Sequence, residues 1–333
     1  MFLDLSINIS MQPFKMLVGD MVNEKQKGLA YSIQSFLCNA GSVVGFLFPF
    51  VLTWLGFQNE APEGEIPESV TWSFYLGAAI LILCVIYTFA KVKEMPPKEY
   101  AEYHGIKEEK NEKKENIFTL LVHAPKVFWT VGLVQFFCWA AFMYMWTYNA
   151  GAVAEQAFGW NPSDGTASLV YQEAGNWNGI LFAVQAVGSV LWAIVLPMFR
   201  NRRFGYFISL VIGGIGFIST LFIADKWLLF VSYFLVGTAW AAMLAMPFTI
   251  LTNSISGKHM GAYLGLFNGT ITLPQIVAAA LGGAVFGLLG GSSQLNMIVL
   301  AGVLLLIGGL CVFFIKETYA EKADPETERF DEI

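Results

Sequence analysis

The sequence predicts an all-α integral membrane protein, a bundle of nine transmembrane helices. Three observations carry that expectation. The chain is 56% hydrophobic and only 13% charged, about half the charged share of a soluble domain. Its apolar residues gather into runs of roughly 20, the length that crosses the bilayer core as a helix. Its cations sort to alternate connections, as the positive-inside rule requires. With 29 Phe, 10 Trp and a mean hydropathy of +0.57 in 333 residues, polar surface is too scarce to coat a water-soluble globule. Disorder, nucleic-acid binding and a secreted disulfide scaffold are excluded on the same grounds. Cys38, Cys84, Cys138 and Cys311 fall inside apolar runs without bridge or metal spacing, so they read as packing residues.

In chain order the clear runs are 31–55, 71–90, 127–153, 178–199, 205–224, 227–252, 261–289 and 295–315. A further one, residues 1–19, is interrupted by Asp4, Asn8, Gln12 and Lys15. Runs this long, rich in Gly and aromatics, belong to helices and not to a barrel, whose spans alternate over about ten residues. No basic region precedes the first apolar run, so no secretory signal is expected. If residues 1–19 run from outside to inside, the inner connections are 20–30, 91–126, 200–204, 253–260 and the tail from Lys316. Of the 19 Lys and Arg, all but Lys15 and Lys226 fall there. The outer connections hold Glu60, Glu63, Glu65, Glu68, Glu155, Asp164, Glu173 and Asp225. The C-terminus is therefore expected in the cytoplasm.

The long inner connection divides the chain. Residues 1–92 form a partial N-terminal half of three helices, 93–126 a cytoplasmic loop, 127–316 a six-helix C-terminal half, and 317–333 an acidic cytoplasmic tail. The stretch KEEKNEKKEN is a solvated charge run, and residues 116–126 suit a short amphipathic helix at the inner surface. Many secondary transporters join two six-helix halves by such a loop. On that pattern the chain is expected to start at the fourth helix of a twelve-helix fold.

Intramembrane charge is expensive, roughly 2.5–3.5 kcal/mol each on insertion scales, and calls for a reason. At about 100° per residue, Asn8, Gln12 and Lys15 lie about 40°, 80° and 20° round from Asp4, so the four share one narrow face. That face suits a cavity, not lipid. A carboxylate that alternates between a desolvated and a cation-paired setting can take up and release a proton, so Asp4 is the candidate proton carrier and Lys15 its partner. Asp20 points roughly the opposite way and is expected to act as a gate or helix-end contact.

The segment LDLSINISMQPFKMLVGD resembles the fourth helix of sucrose and maltose proton symporters of the major facilitator superfamily. These form the solute-carrier-45-like group, related to the glycoside–pentoside–hexuronide carriers. The plant sucrose carriers' pattern of Leu-Asp, Asn, Pro-x-Arg-x-Leu and Asp is met by Leu3-Asp4, Asn8, Pro13-Phe14-Lys15-Met16-Leu17 and Asp20, with Lys where that pattern has Arg. EKQKGLAYSIQSF, MWTYNAGAVAEQAFG, GNWNG at 175–179 and MGAYLGLFNGTITLPQI at 260–276 are similar to bacterial members. The resemblance implies the twelve-helix fold, of which helices four to twelve are present. It also implies proton-coupled uptake of a disaccharide or glycoside, such as maltose or sucrose, across the plasma membrane.

In that fold helices one, four, seven and ten line the central cavity, which makes 1–19, 127–153 and 227–252 its walls here. Helix seven carries Gln135, Trp139, Tyr144, Trp146, Tyr148 and Asn149. Trp139 and Trp146 are seven residues apart and share a face, with Gln135 and Asn149 near it. Sugar rings stack on aromatics while their hydroxyls pair with amides, so this face is the expected sugar wall. Asn8 and Gln12 are expected to add contacts from helix four, Trp240 is a weaker candidate, and Tyr148 suits packing near the outer end. Asn268 and Gln275 could bond across helices or reach substrate. Gly41/Gly45 and Gly283/Gly287 form small-xxx-small pairs suited to close helix packing, and RNRR at 200–203 closes an inner turn. The expected partners are a sugar, protons and the lipid bilayer, with no nucleic acid, cofactor or metal, in a monomer. His104, His123 and His259 all lie in inner connections, which speaks against an intramembrane metalloenzyme. The competing expectations are a non-transporting remnant or sensor and a sodium-coupled or facilitative sugar carrier.

Overall fold

The computed structural model describes residues 24–58, 65–93, 96, 99, 117–166, 168–254 and 260–316. Their helices are α1 (Glu24–Trp54), α2 (Glu68–Lys91), α3 (Ile117–Val122), α4 (Lys126–Phe158), α5 (Leu169–Val195), α6 (Arg202–Ser219), α7 (Leu229–Ser254), α8 (Met260–Phe267), α9 (Gly269–Leu288) and α10 (Leu295–Cys311). Each apolar run from 31 onward is helical. Among the described residues seven helices are long and apolar enough to cross a membrane. The expected nine differ for two reasons. Residues 1–19 lie outside the described residues, and the run at 205–224 yields a helix of 18 residues that includes Arg202, Arg203 and Gly205, Gly213, Gly214 and Gly216.

Local chemistry sets the ends. Pro125 precedes the first turn of α4, where its missing N–H is no loss. Gly159 ends that helix at φ 67°, its N–H returning to the carbonyl of Ala154. The Ser168 hydroxyl accepts from the N–H of Tyr171 to start α5, and Asn201 Oδ1 accepts from Phe204 to start α6. Asp225 Oδ1 accepts from Trp227 and Leu228 at 2.9 and 3.0 Å in the turn before α7. The run 261–289 is broken at Asn268, whose N–H closes a tight i−3 bond to Gly265.

The chain forms two units, residues 1–37 with 47–122 and residues 38–46 with 123–333. In the first, α2 leaves large apolar side chains such as Phe74, Leu83 and Phe89 exposed, as a lipid-facing helix does. The Trp72 ring lies 6.0 Å from both Phe57 and Tyr75.

In the second unit α4 is the hub, packed against α5, α7, α9 and α10; α7 also packs on α5 and α6, and α6 on α10. Glycines permit the closest approaches. A Cβ on Gly188 would stand 2.4 Å from the Phe234 carbonyl oxygen, and one on Gly237 2.2 Å from that of Gln185. Gly214 and Gly302 face each other likewise between α6 and α10. The pairs Gly41/Gly45 and Gly283/Gly287, expected to pack, meet nothing within 4 Å among the described residues. Their spacing puts both members on one face, but only tertiary structure decides whether that face meets a helix. Cys138 and Cys311 are buried, Cys38 and Cys84 exposed, and all are free.

Candidate functional site

Asp4, Asn8, Gln12, Lys15 and Asp20 lie outside the described residues. The remaining sequence-predicted residues fall in the second unit, and α4 presents Gln135, Trp139, Trp146 and Asn149 along one side.

Trp139, Trp146 and Trp240 form a mutual cluster. Trp240 of α7 lies edge-on to Trp139 and to Trp146, with ring centres 5.8 Å apart in each case; Trp139 and Trp146 are 6.3 Å apart. Phe142 backs the group, 5.0 Å from Trp240. Trp139 is buried at 7% exposure, whereas Trp146 is 43% exposed and offers a free aromatic surface. Gln135 is wholly buried, and its Nε2 donates to the carbonyl of Met243 on α7 at 3.4 Å. Its Oε1, and the Nε1–H of Trp139 one turn later, have no hydrogen-bond partner among the described residues.

Asn149 is differently engaged. Its Nδ2 donates to Asn178 Oδ1 on α5, and its Oδ1 accepts from the Tyr233 hydroxyl on α7. Asn149 and Tyr233 are each 1% exposed. This amide therefore ties three helices together. Asn268 sits at the α8–α9 junction with Oδ1 buried and unpartnered. Its neighbour Thr270 presents a methyl against Gly132, one turn before Gln135. Tyr144 and Tyr148 pack toward α9, where Tyr148 stacks on Phe286 at 5.7 Å.

Two charged clusters lie at the predicted outer ends. Glu155, read from the sequence as part of a connection, belongs to α4, because that helix continues to Gly159. Its carboxylate accepts from Ser293 Oγ at 2.6 Å and from the backbone N–H of Gln294, which opens α10. Lys226 pairs with Glu173 at 3.6 Å and lies over the rings of Phe158 and Trp177. At the predicted inner side, Arg203 Nη1 donates to the Ile315 carbonyl at 2.9 Å.

The site residues on α4 carry no ionisable group, and no cluster of His, Cys, Asp or Glu able to hold a metal occurs among the described residues. What the arrangement can do is stack an apolar or cationic molecular face and hydrogen-bond a neutral polar group. Tyr233, Asn178 and Met243 were not foreseen. Asn178 stands in the GNWNG segment, while α7 is so uniformly apolar that nothing in its pattern singles out Tyr233.

The sequence profile of the Major Facilitator Superfamily matches residues 7–172 and 169–331. The choline/ethanolamine transporter flvcr2a of Danio rerio is 23% identical over 308 residues, which are 90% of this chain and 61% of that protein. The chain thus spans about three fifths of the length of the curated relative it matches. A crystal structure of a bacterial homolog to the human lysosomal transporter Spinster, in an inward-facing and occupied conformation, is similar at a TM-score of 0.55 and 16% identity. That match covers 93% of this chain and 75% of that one, and at such identity the likeness concerns the fold alone. Neither protein is named as a sugar carrier.

Proposed function

The chain belongs to the Major Facilitator Superfamily, and from that premise we propose that it is a secondary carrier for a neutral, hydroxyl-rich solute of disaccharide or glycoside size, driven by proton symport. The family is one of transporters, not enzymes, and the chain is a multi-pass integral membrane protein. One observation carries the choice of solute. The half-exposed Trp146, the half-buried Trp240 and the buried Trp139 form an aromatic wall, beside which Gln135 Oε1 and Trp139 Nε1 have no partner among the described residues. The C–H face of a sugar ring suits such a wall, and its hydroxyls can supply both missing partners. In this reading Asp4 carries the proton, Lys15 is its basic partner, Asn8 and Gln12 add polar contacts from their shared helical face, and Asp20 gates. Asn149 and Asn268 bound the site on either side.

A second reading has a specific basis. The same rings could hold a quaternary ammonium by cation–π contact, and a choline/ethanolamine transporter is among the relatives. The two are separated by reconstituting the chain in proteoliposomes and offering labelled maltose, sucrose and choline under an imposed proton gradient. Uphill uptake of a sugar that falls at least about tenfold in Trp146→Ala, but survives in Trp146→Phe, supports the first reading. Choline uptake without sugar uptake establishes the second. In the first case Asp4→Asn abolishes accumulation and spares exchange; undiminished uphill uptake by that variant removes the proton-carrier role.

A further inference from the structure

Pro247 lies inside α7 and brings no N–H to the carbonyl of Met243, four residues earlier, where the helix would otherwise close its bond. Met243 is wholly buried, and a buried acceptor in an apolar bundle needs a partner. The partner comes from another helix, as Gln135 Nε2 donates to that carbonyl. A carbonyl only accepts, so the carboxamide can meet it only with its NH₂ end. Gln135 Oε1 is thereby held away from Met243, buried and without a donor among the described residues, on the residue one turn before the equally unpartnered Trp139 Nε1–H.

We infer that Pro247 is a positioning residue for solute recognition. By freeing the Met243 carbonyl it fixes the Gln135 carboxamide, so that the α4 face presents an acceptor, Gln135 Oε1, beside a donor, Trp139 Nε1. A solute hydroxyl can donate to the first or accept from the second. A quaternary ammonium group satisfies neither, whereas a hydroxyl satisfies either, choline's own included. This rests on the reading of the α4 face as the solute site. Replacing Pro247 with Ala supplies an N–H to Met243, displaces Gln135 Nε2 and lets the carboxamide turn, so the acceptor is no longer held in place.

The test uses the full chain in proteoliposomes, with labelled maltose as probe, and compares Gln135→Ala, Pro247→Ala and the double variant. Each single variant is expected to raise KM about tenfold, the weight of one hydrogen bond, with Vmax within about twofold. The double variant is expected to be no worse than Gln135→Ala, because Pro247 acts only through that side chain. A solute-free measurement accompanies it. Hydrogen exchange of α7 amides across Met243–Leu251 should quicken in Gln135→Ala and stay at the parent rate in the double variant, where the helix closes its own bond. Multiplying KM effects, or α7 exchange indifferent to Gln135→Ala, overturn the inference. A KM sensitive to Gln135→Ala but not to Pro247→Ala removes the positioning role alone. A KM indifferent to Gln135→Ala removes the proposed solute site, and the inference with it.

Discussion

Replacing Tyr233 with Phe removes one oxygen and leaves the ring packing of α7 intact. The lost hydroxyl is the donor to Asn149 Oδ1, and both residues are 1% exposed. In a soluble core an orphaned buried acceptor costs about 1–3 kcal/mol. Side-chain bonds in membrane bundles average about 0.6 and reach about 1.7 kcal/mol, because the unfolded chain finds partners within the bilayer too. Full burial of Asn149 argues for the upper part of that range, about 1–1.5 kcal/mol. At about 2–4 °C per kcal/mol for a unit of this size, the apparent melting midpoint in detergent should fall by about 2–6 °C. Asn149→Leu removes both bonds of the amide. Asn178 is only half-buried and can turn to other partners, so that variant should lose only slightly more, about 2 kcal/mol. The double variant should match Asn149→Leu alone, since the Tyr233 hydroxyl has nothing left to bond. The assay is the midpoint of intrinsic Trp fluorescence on heating, in parallel for all four proteins. A Tyr233→Phe midpoint indistinguishable from the parent, or losses that simply add, would refute the tie between α4, α5 and α7.

Two further outcomes follow from other contacts. Glu155→Ala strips the acceptor from Ser293 Oγ and from the N–H of Gln294 at the start of α10; a loss of about 1–2 kcal/mol is expected, with Glu155→Gln keeping most of it. Equal midpoints for the Ala variant and the parent would show that α10 needs no such cap. Gly237→Ala would drive a Cβ to 2.2 Å from the Gln185 carbonyl oxygen and 2.7 Å from the Ser189 nitrogen, both backbone, and should abolish a monodisperse peak on size-exclusion chromatography. Gly283→Ala, with open space around it among the described residues, should elute as the parent does. A well-behaved Gly237→Ala protein would contradict the α5–α7 packing.

Apolar run length made the helices legible, because burial in hydrocarbon demands about 20 apolar residues regardless of tertiary context. It misplaced ends where polar residues continue a helix. The stretch Leu169–Trp177 joins α5 although it contains Gln172, Glu173 and Asn176, since the Ser168 cap starts the helix well before the apolar run. Likewise α4 runs through Glu155 and Gln156 because nothing ends it before Gly159. Helical period placed Trp139 and Trp146 together, and their rings do meet. Helical period alone could not place Trp240 beside them, since α7 is apolar all round; it is a weaker candidate only through the resemblance, which puts that helix on the cavity. The glycine pairs show the same limit from the other side. Gly188 and Gly237, far apart in sequence and neither in a Gly-xxx-Gly pair, make the close approach, while the regular pairs do not.

The polar groups of α4 divide by where their partners are found. Asn149 and Glu155 are met by Asn178, Tyr233, Ser293 and the Gln294 backbone, so their role as ties within the second unit needs no other molecule. Gln135 and Trp139 each keep one buried polar atom unmet among the described residues. An unmet atom alone marks nothing, as Gln185 Oε1 on α5 is in the same state. What distinguishes α4 is that one unmet atom accepts, the other donates, and the two belong to residues one turn apart, Trp139 being in ring contact with the exposed Trp146. In a bundle where lipid offers neither donor nor acceptor, hydroxyl groups are the chemistry that can relieve deficits of both kinds. The proposed hydroxyl-bearing solute is thus favoured by the pairing of opposite deficits, and not by the count of aromatic residues.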